Sequence, residues 1–241
     1  MGKITLREAA QWCGGRVEEK YADRTFFGAS NDSRKIQPGE LFVVLKGERD
    51  GHDYIPAAME RGAAAVLGSR QVGDYPMILV EDTRKALGDI ARQERLRLNM
   101  KVVAVTGSVG KSTTKEMIAC VLESQFCTLK TQGNLNNEIG QPKTLLGLED
   151  CHQAAVIEMG MSHFGEISRM ARTAEPSIGV ITNIGYSHIE NLKTQEGIRQ
   201  ALHIGQFRRG IMGILVSLSI VKLLHERRRR IADDQRHRLC Q

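Results

Sequence analysis

No apolar run in this 241-residue sequence is long enough to cross a bilayer, which takes ~20 residues in a helix. The longest, Gly210 to Val221, falls short. The N-terminus lacks the apolar core of a secretory leader. Cysteine is sparse: Cys13, Cys120, Cys127, Cys151 and Cys240, an odd count with no C-x-x-C pair. That predicts a reduced, cytosolic protein whose thiols are buried or incidental. The body of the chain also lacks net charge. The sequence carries +6 overall, but residues 201–241 hold nine Arg or Lys against three acids, so residues 1–200 balance to zero. A basic pI alone suggests a nucleic-acid partner; confinement of the excess to the last 41 residues argues against one. What remains, 41% apolar and 26% charged, is the make-up of a globular chain with room for one large domain or two small ones.

The stretch richest in chemistry is Val102-Val103-Ala104-Val105-Thr106-Gly107-Ser108-Val109-Gly110-Lys111-Ser112-Thr113. Four apolar residues predict a buried strand, a glycine-bracketed turn follows, and Lys-Ser-Thr opens a helix. Met117, Ile118, Val121 and Leu122 form its apolar face, with Lys115, Glu116 and Glu123 elsewhere. Strand, glycine loop and helix are the setting of a phosphate-binding loop. Gly107 and Gly110 admit phosphate oxygens to backbone N–H groups, the helix start adds partial positive charge, Lys111 reaches the outer phosphates, and Ser112 or Thr113 offers a hydroxyl to Mg²⁺. The full motif begins with a glycine that is missing here, since Val105 stands in its place. An ordinary glycine turn between strand and helix is the plain alternative.

Upstream, Thr5 predicts a helix to Trp12 stopped by Gly14-Gly15, Leu41 to Leu45 a strand, and Asp53 the cap of a helix to Arg61. Ala63–Leu67 and Met77–Val80 read as strands, and Thr83 caps a helix to Leu98. The alternation predicts a small α/β domain over 1–82, ahead of a second domain. Arg34 and Lys46 each edge an apolar segment, as a ligand-holding cation or a solvated charge would. Downstream, Gly133-Asn134-Leu135-Asn136-Asn137-Glu138-Ile139-Gly140 is an amide-rich turn. Apolar strands at 154–157 and 178–181 end at Glu158 and at Thr182-Asn183, with His188 just beyond. Ligands of open parallel sheets bind beyond the carboxyl ends of strands. Glu158 suits Mg²⁺ there, and His188 a phosphate or a metal-bound water. A strand-end acid and an idle loop histidine are the alternatives.

Taken together these segments resemble the Mur ligase family of ATP-dependent amide ligases of peptidoglycan synthesis. They are most similar to the branch that joins D-alanyl-D-alanine to UDP-N-acetylmuramoyl-tripeptide. The shortened loop Thr106–Lys111, the amide turn 133–140, Glu158-Met159-Gly160 and Thr182-Asn183-Ile184-Gly185 with His188 carry the likeness. So do Asp32-Ser33-Arg34, Pro38-Gly39-Glu40 and Leu45-Lys46-Gly47. The resemblance implies an α/β fold: a small N-terminal α/β domain (1–82), then an incomplete phosphate-loop central domain with a mostly parallel sheet (83–200). It implies that Thr106, Gly107, Ser108, Val109, Gly110, Lys111, Ser112, Thr113, Asn134, Asn137 and Asn183 hold ATP. Ser112, Glu158 and His188 would bind Mg²⁺, with Lys111, Glu158 and His188 as the catalytic set. Ser33, Arg34 and Lys46 would hold the UDP-sugar peptide. Lys143 and Gln141, where the family is usually apolar, are departures with no role assigned.

Past Ile198 the likeness stops. Ala201 is followed by Leu202 where family members have lysine, and no match to a dipeptide-binding third domain follows. The tail 201–241, with Arg227-Arg228-Arg229-Arg230, reads as the product of a shifted frame or an equivalent junction, which predicts little ligation by this chain alone. A selected basic arm on a nucleotide-binding module without ligase activity is the alternative. A phosphate-loop kinase or GTPase is disfavoured by the shortened loop and by the lack of an Asn-Lys-x-Asp guanine reader.

Overall fold

The computed structural model describes residues 3–47, 49–185 and 189–202, together with the backbone of 212–215. Strand β1 (Ile4–Thr5) runs into helix α1 (Leu6–Cys13) through a capping box. The Thr5 hydroxyl accepts the Glu8 amide at 3.2 Å, and the Glu8 carboxylate accepts the Thr5 amide at 2.9 Å. Gly14, at φ +66°, ends the helix in the left-handed region that favours glycine. Strand β2 (Thr25–Phe26) pairs antiparallel with β1.

Four short parallel strands follow in spatial order: β3 (Ala29–Ser30), β4 (Leu41–Val43), β5 (Ala65–Gly68) and β6 (Met77–Leu79). Side chains alternate between faces, as the pleat requires. Leu41, Val43, Ala65, Leu67 and Ile78 enter the main core, while Phe42, Val66 and Met77 pack on the opposite side with Ile55 and Ala58. The last two come from α2 (Ile55–Glu60), which crosses between β4 and β5. Its cap differs from the sequence reading. Asp50, not Asp53, accepts an amide (His52 N, 3.0 Å) and opens a single 3₁₀ turn, Gly51–Tyr54, ahead of the helix.

Helix α3 (Thr83–Arg97) is likewise capped one residue earlier than expected, by Asp82, whose carboxylate accepts from Arg84 N at 2.9 Å and Lys85 N at 3.0 Å. It leads to β7 (Lys101–Thr106), α4 (Lys111–Leu122), β8 (Thr128–Lys130), α5 (Gly140–Leu145), β9 (Ala154–Glu158), α6 (Glu166–Ala174) and β10 (Ile178–Ile181). Two short helices, α7 (Ile189–Leu192) and α8 (Gln195–Ala201), precede β11 (Met212–Leu215). The second sheet is all parallel, in the order β11-β10-β7-β9-β8. Within the stretch read as a basic tail, Met212–Leu215 therefore serves as an edge strand. The arginine run and the rest of the tail lie outside the described residues, as does most of the apolar run 210–221.

α3 packs on α1 and also on α5 and α6. Leu87, Ile90 and Ala91 share one core with Leu6 and Ala9 and with Leu145 and Met170. Buried Arg95 reinforces the junction by donating to the carbonyls of Ala174 (2.8 Å), Glu175 (3.1 Å) and Met100 (3.2 Å). Among the described residues no helix is long and apolar enough to cross a membrane.

Candidate functional site

Registers in the second sheet bring three strand ends together. β7 pairs Val105 with Glu158 on one side and Thr106 with Ile181 on the other. The residues that follow each strand therefore meet above the same edge. β7 is the strand at which the chain turns from building one half of the sheet to the other, the position where ligands bind in open α/β sheets.

The loop after β7 is pinned to the loop after β10. Ser108 N donates to the Asn183 carbonyl (3.1 Å), and Val109 N to Asn183 Oδ1 (2.9 Å). The Thr182 hydroxyl donates to the Val109 carbonyl (2.6 Å), and Gly185 N to Ser108 Oγ (2.9 Å). Gly107 sits at φ +133°, and a Cβ there would lie 2.2 Å from Thr182 Oγ1 and about as close as 3.0 Å to the Thr182 nitrogen. Only glycine fits. Gly110, at φ +83°, stands at the start of α4 and supplies no side-chain cap. Ser112 and Thr113 are exposed in the first turn.

Lys111 folds back over its own loop, its Nζ donating to the Gly107 carbonyl at 2.8 Å. Burial pushes this ammonium below the usual lysine range, and the charge of Glu158 opposes that shift. Glu158 is 2% exposed. Its amide donates to the Thr131 hydroxyl (2.9 Å), and its Oε1 accepts from Asn136 Nδ2 (2.9 Å). Among the described residues Oε2 is buried with no hydrogen-bond partner. Among the described residues the nearest cation is Lys115, whose Nζ lies 3.9 Å away, too far for a hydrogen bond. A buried, unsatisfied carboxylate oxygen beside the glycine loop is a hard donor with an unshared lone pair, and it fits a Mg²⁺ ligand.

Lys115 corrects the sequence reading of α4. Placed there on an outer face, it is 3% exposed, and its Nζ donates to the Thr131 carbonyl at 2.7 Å. Val121, read as core, is 71% exposed. The inward stripe is buried Lys115 and Ala119 with half-buried Ile118 and Leu122, spaced i, i+3, i+4, i+7. That spacing was the available signal for Lys115. Asn136 and Thr131 were also passed over as site residues.

The other expected ligands fall out differently. Asn137 Oδ1 accepts the amides of Ile139 (3.1 Å) and Gly140 (2.8 Å), which commits it to the turn before α5. Asn134 is exposed. Thr106 Oγ1 donates to the Met159 carbonyl at 2.8 Å. His188 lies outside the described residues. After β3, Ser33 is buried, while Arg34 forms a two-pronged pair with Asp32, Nε–Oδ1 2.9 Å and Nη2–Oδ2 3.0 Å. That pair holds the Asp32 carboxyl down at about 2. Lys46 is exposed, its backbone bridged to Asp50. Of the two departures, Gln141 is buried and donates to the Met170 carbonyl, and Lys143 Nζ donates to Asn31 Oδ1 at 3.0 Å. Lys143 and a bond from Gly28 N to the Leu146 carbonyl tie α5 to the Asn31–Arg34 turn, so the two candidate ligand regions share a joint.

Comparison with known proteins returns the Mur ligase family. The profile of the Mur ligase middle domain matches residues 105–203, and that of the Mur ligase family catalytic domain matches residues 27–95. The UDP-N-acetylmuramoyl-tripeptide–D-alanyl-D-alanine ligase of Bacillus subtilis is 44% identical over 207 residues, covering 83% of this chain and 45% of the relative. The enzyme of the same name from Escherichia coli is 41% identical over 203 residues, covering 83% and 44%. A crystal structure of MurF from Acinetobacter baumannii superposes with a TM-score of 0.81 at 33% identity, covering 89% of this chain and 49% of that one. MurF from Thermotoga maritima in complex with ADP gives 0.69 at 29% identity, covering 79% and 50%. The chain thus spans about half the length of the relatives it matches.

Proposed function

The chain belongs to the Mur ligase family, and from that premise we propose that it is the nucleotide- and UDP-sugar-binding portion of an ATP-dependent ligase. That ligase joins D-alanyl-D-alanine to UDP-N-acetylmuramoyl-tripeptide in the cytoplasm. The observation that carries the reading is the partnerless, buried Oε2 of Glu158 beside the loop that Gly107 and Lys111 build.

In this reading the loop from Thr106 to Thr113 cradles the ATP phosphates. Lys111 exchanges its carbonyl partners for phosphate oxygens and stays charged there, because the phosphate offsets the burial that now disfavours its proton. Asn183 and Thr182 hold the loop in shape rather than touching the nucleotide. Asn136 and Thr131 orient Glu158, which with the Ser112 hydroxyl would hold Mg²⁺; His188 would serve a second ion. Mg²⁺, when bound, neutralises charge on the phosphate oxygens. Ser33, Arg34 and Lys46 would hold the UDP-sugar peptide with its terminal carboxylate toward the γ-phosphate. That carboxylate attacks the γ-phosphoryl group and ADP leaves. The dipeptide amine then attacks the resulting acyl phosphate and phosphate leaves. Positioning and charge neutralisation supply the rate, since the protein contributes no covalent step.

Calorimetric titration with ATP, with and without Mg²⁺, tests this. The wild-type chain binds more tightly with Mg²⁺, Lys111→Ala weakens binding in both conditions, and Glu158→Gln removes the Mg²⁺ enhancement alone. Equal binding by wild type and Lys111→Ala would sink the assignment.

A further inference from the structure

Two exposed cysteines meet at the end of the central sheet opposite the phosphate loop. Cys127 directly precedes β8, and Cys151 lies three residues before β9. Their sulfurs are 2.6 Å apart, closer than unbonded sulfurs pack. The backbone is fixed on both sides. β8 and β9 pair in parallel from Thr128–Ala154 onward, and Gln153 N donates to the Cys127 carbonyl at 2.9 Å. A nitrogen of His152 lies within 4.8 Å of both sulfurs, so a soft metal ion has to be weighed. Two features speak against it. His152 Nδ1 accepts the Glu149 amide at 2.8 Å, which leaves the ring proton on Nε2 and neither nitrogen with a spare lone pair. A tetrahedral ion with bonds of ~2.3 Å would also hold the sulfurs ~3.8 Å apart. A disulfide, at about 2.05 Å, needs only a small contraction.

We propose that Cys127 and Cys151 are a modification site, forming a reversible disulfide by exchange with a low-molecular-weight disulfide. Cys151, its proton released to solvent, attacks one sulfur of the small disulfide; that S–S bond breaks and one small thiolate departs. Cys127 then gives its proton to solvent and attacks the Cys151 sulfur of the mixed disulfide, expelling the second small thiolate. Two protein thiols are oxidised and one small disulfide is reduced to two thiols. The Cys151 sulfur beside it raises the Cys127 thiol, which suits it to the second step rather than the first. The bond would close the segment that carries β8, Thr131, Asn136 and α5, and so would restrain the residues that orient Glu158.

The test is the full chain equilibrated with oxidised and reduced glutathione, then digested without reduction and mapped by mass spectrometry. The expected product is a Cys127–Cys151 linked peptide, lighter by two hydrogens than the reduced pair. Its formation raises the thermal midpoint, and dithiothreitol reverses both changes. Cys127→Ser leaves a glutathione adduct on Cys151 and no link, and Cys120→Ser leaves the link intact. Separate glutathione adducts on both wild-type cysteines with no link would overturn the proposal. So would a stoichiometric thiolate–cobalt charge-transfer band in the reduced chain that disappears in both Cys127→Ser and Cys151→Ser, since the pair would then be metal ligands.

Discussion

Replacing Gly107 by alanine separates two demands that the fold makes on one residue. The first is backbone conformation. At φ +133° a residue with a Cβ is strained, at a cost of ~1–3 kcal/mol. The second is space. The new Cβ would lie 2.2 Å from Thr182 Oγ1, and the hydroxyl cannot swing away without losing its 2.6 Å bond to the Val109 carbonyl. Behind it, the Thr182 and Asn183 nitrogens at 3.0 and 3.1 Å belong to the backbone and cannot give cheaply. Overpacking of this kind costs ~1–3 kcal/mol, so the sum is about 2–6 kcal/mol. Gly110→Ala is the control. It has φ +83° but nothing within 4 Å of the added Cβ, so it carries only a backbone cost of ~1–2 kcal/mol. Urea unfolding followed by circular dichroism should place Gly107→Ala below Gly110→Ala by a midpoint difference on the order of 1 M. Equal midpoints for the two variants would refute the claim that the β10 loop clamps the β7–α4 loop at Gly107.

Three further outcomes are expected. Asp82→Ala, which strips the cap from α3, lowers stability by ~1 kcal/mol in the same assay, whereas Thr83→Ala, expected from sequence alone to remove that cap, does not. Lys115→Met removes the buried ammonium beside Glu158 and costs ~3–5 kcal/mol, far more than an exposed lysine; a change within ~0.5 kcal/mol would return Lys115 to the surface. In an NMR pH titration Asp32 loses its proton near 2 rather than near the ordinary ~3.9, and Arg34→Ala moves it up. Because the folded value is depressed, the pair's stabilisation is present above about pH 4 and fades as pH falls through about 2. A midpoint unmoved by Arg34→Ala would show that the pair does not persist in solution.

Much of the architecture was legible without coordinates because it rests on local physics. β4, β7, β9 and β10 announce themselves as short apolar runs bounded by glycine or polar turns, and α1 by a cap and a stop that lie within ten residues of each other. Both misplaced caps were near neighbours of the right residue, since Asp50 and Asp53, or Asp82 and Thr83, are equally good caps by residue type. Only the actual path of the chain decides whose oxygen faces the free amides. Lys115 and Val121 were exchanged for a different reason. Charge outranked periodicity in the reading, whereas the fold placed the lysine inward because a carbonyl and a carboxylate wait there for its ammonium.

The sequence by itself determined the glycine loop between β7 and α4, the parallel α/β plan and the strand-end positions of Glu158 and Asn183. Each of these follows from residue types and spacings within one element. Only the tertiary structure decided that Asn183 gives both its oxygens to the loop amides and that Asn137 Oδ1 is committed to its own turn. It also decided that Asn136, Thr131 and Lys115 surround Glu158, and that two cysteines 24 residues apart meet at the far end of the same strands. Those outcomes depend on strand order and register, which pair residues far apart in the chain, and no pattern within a single segment encodes them.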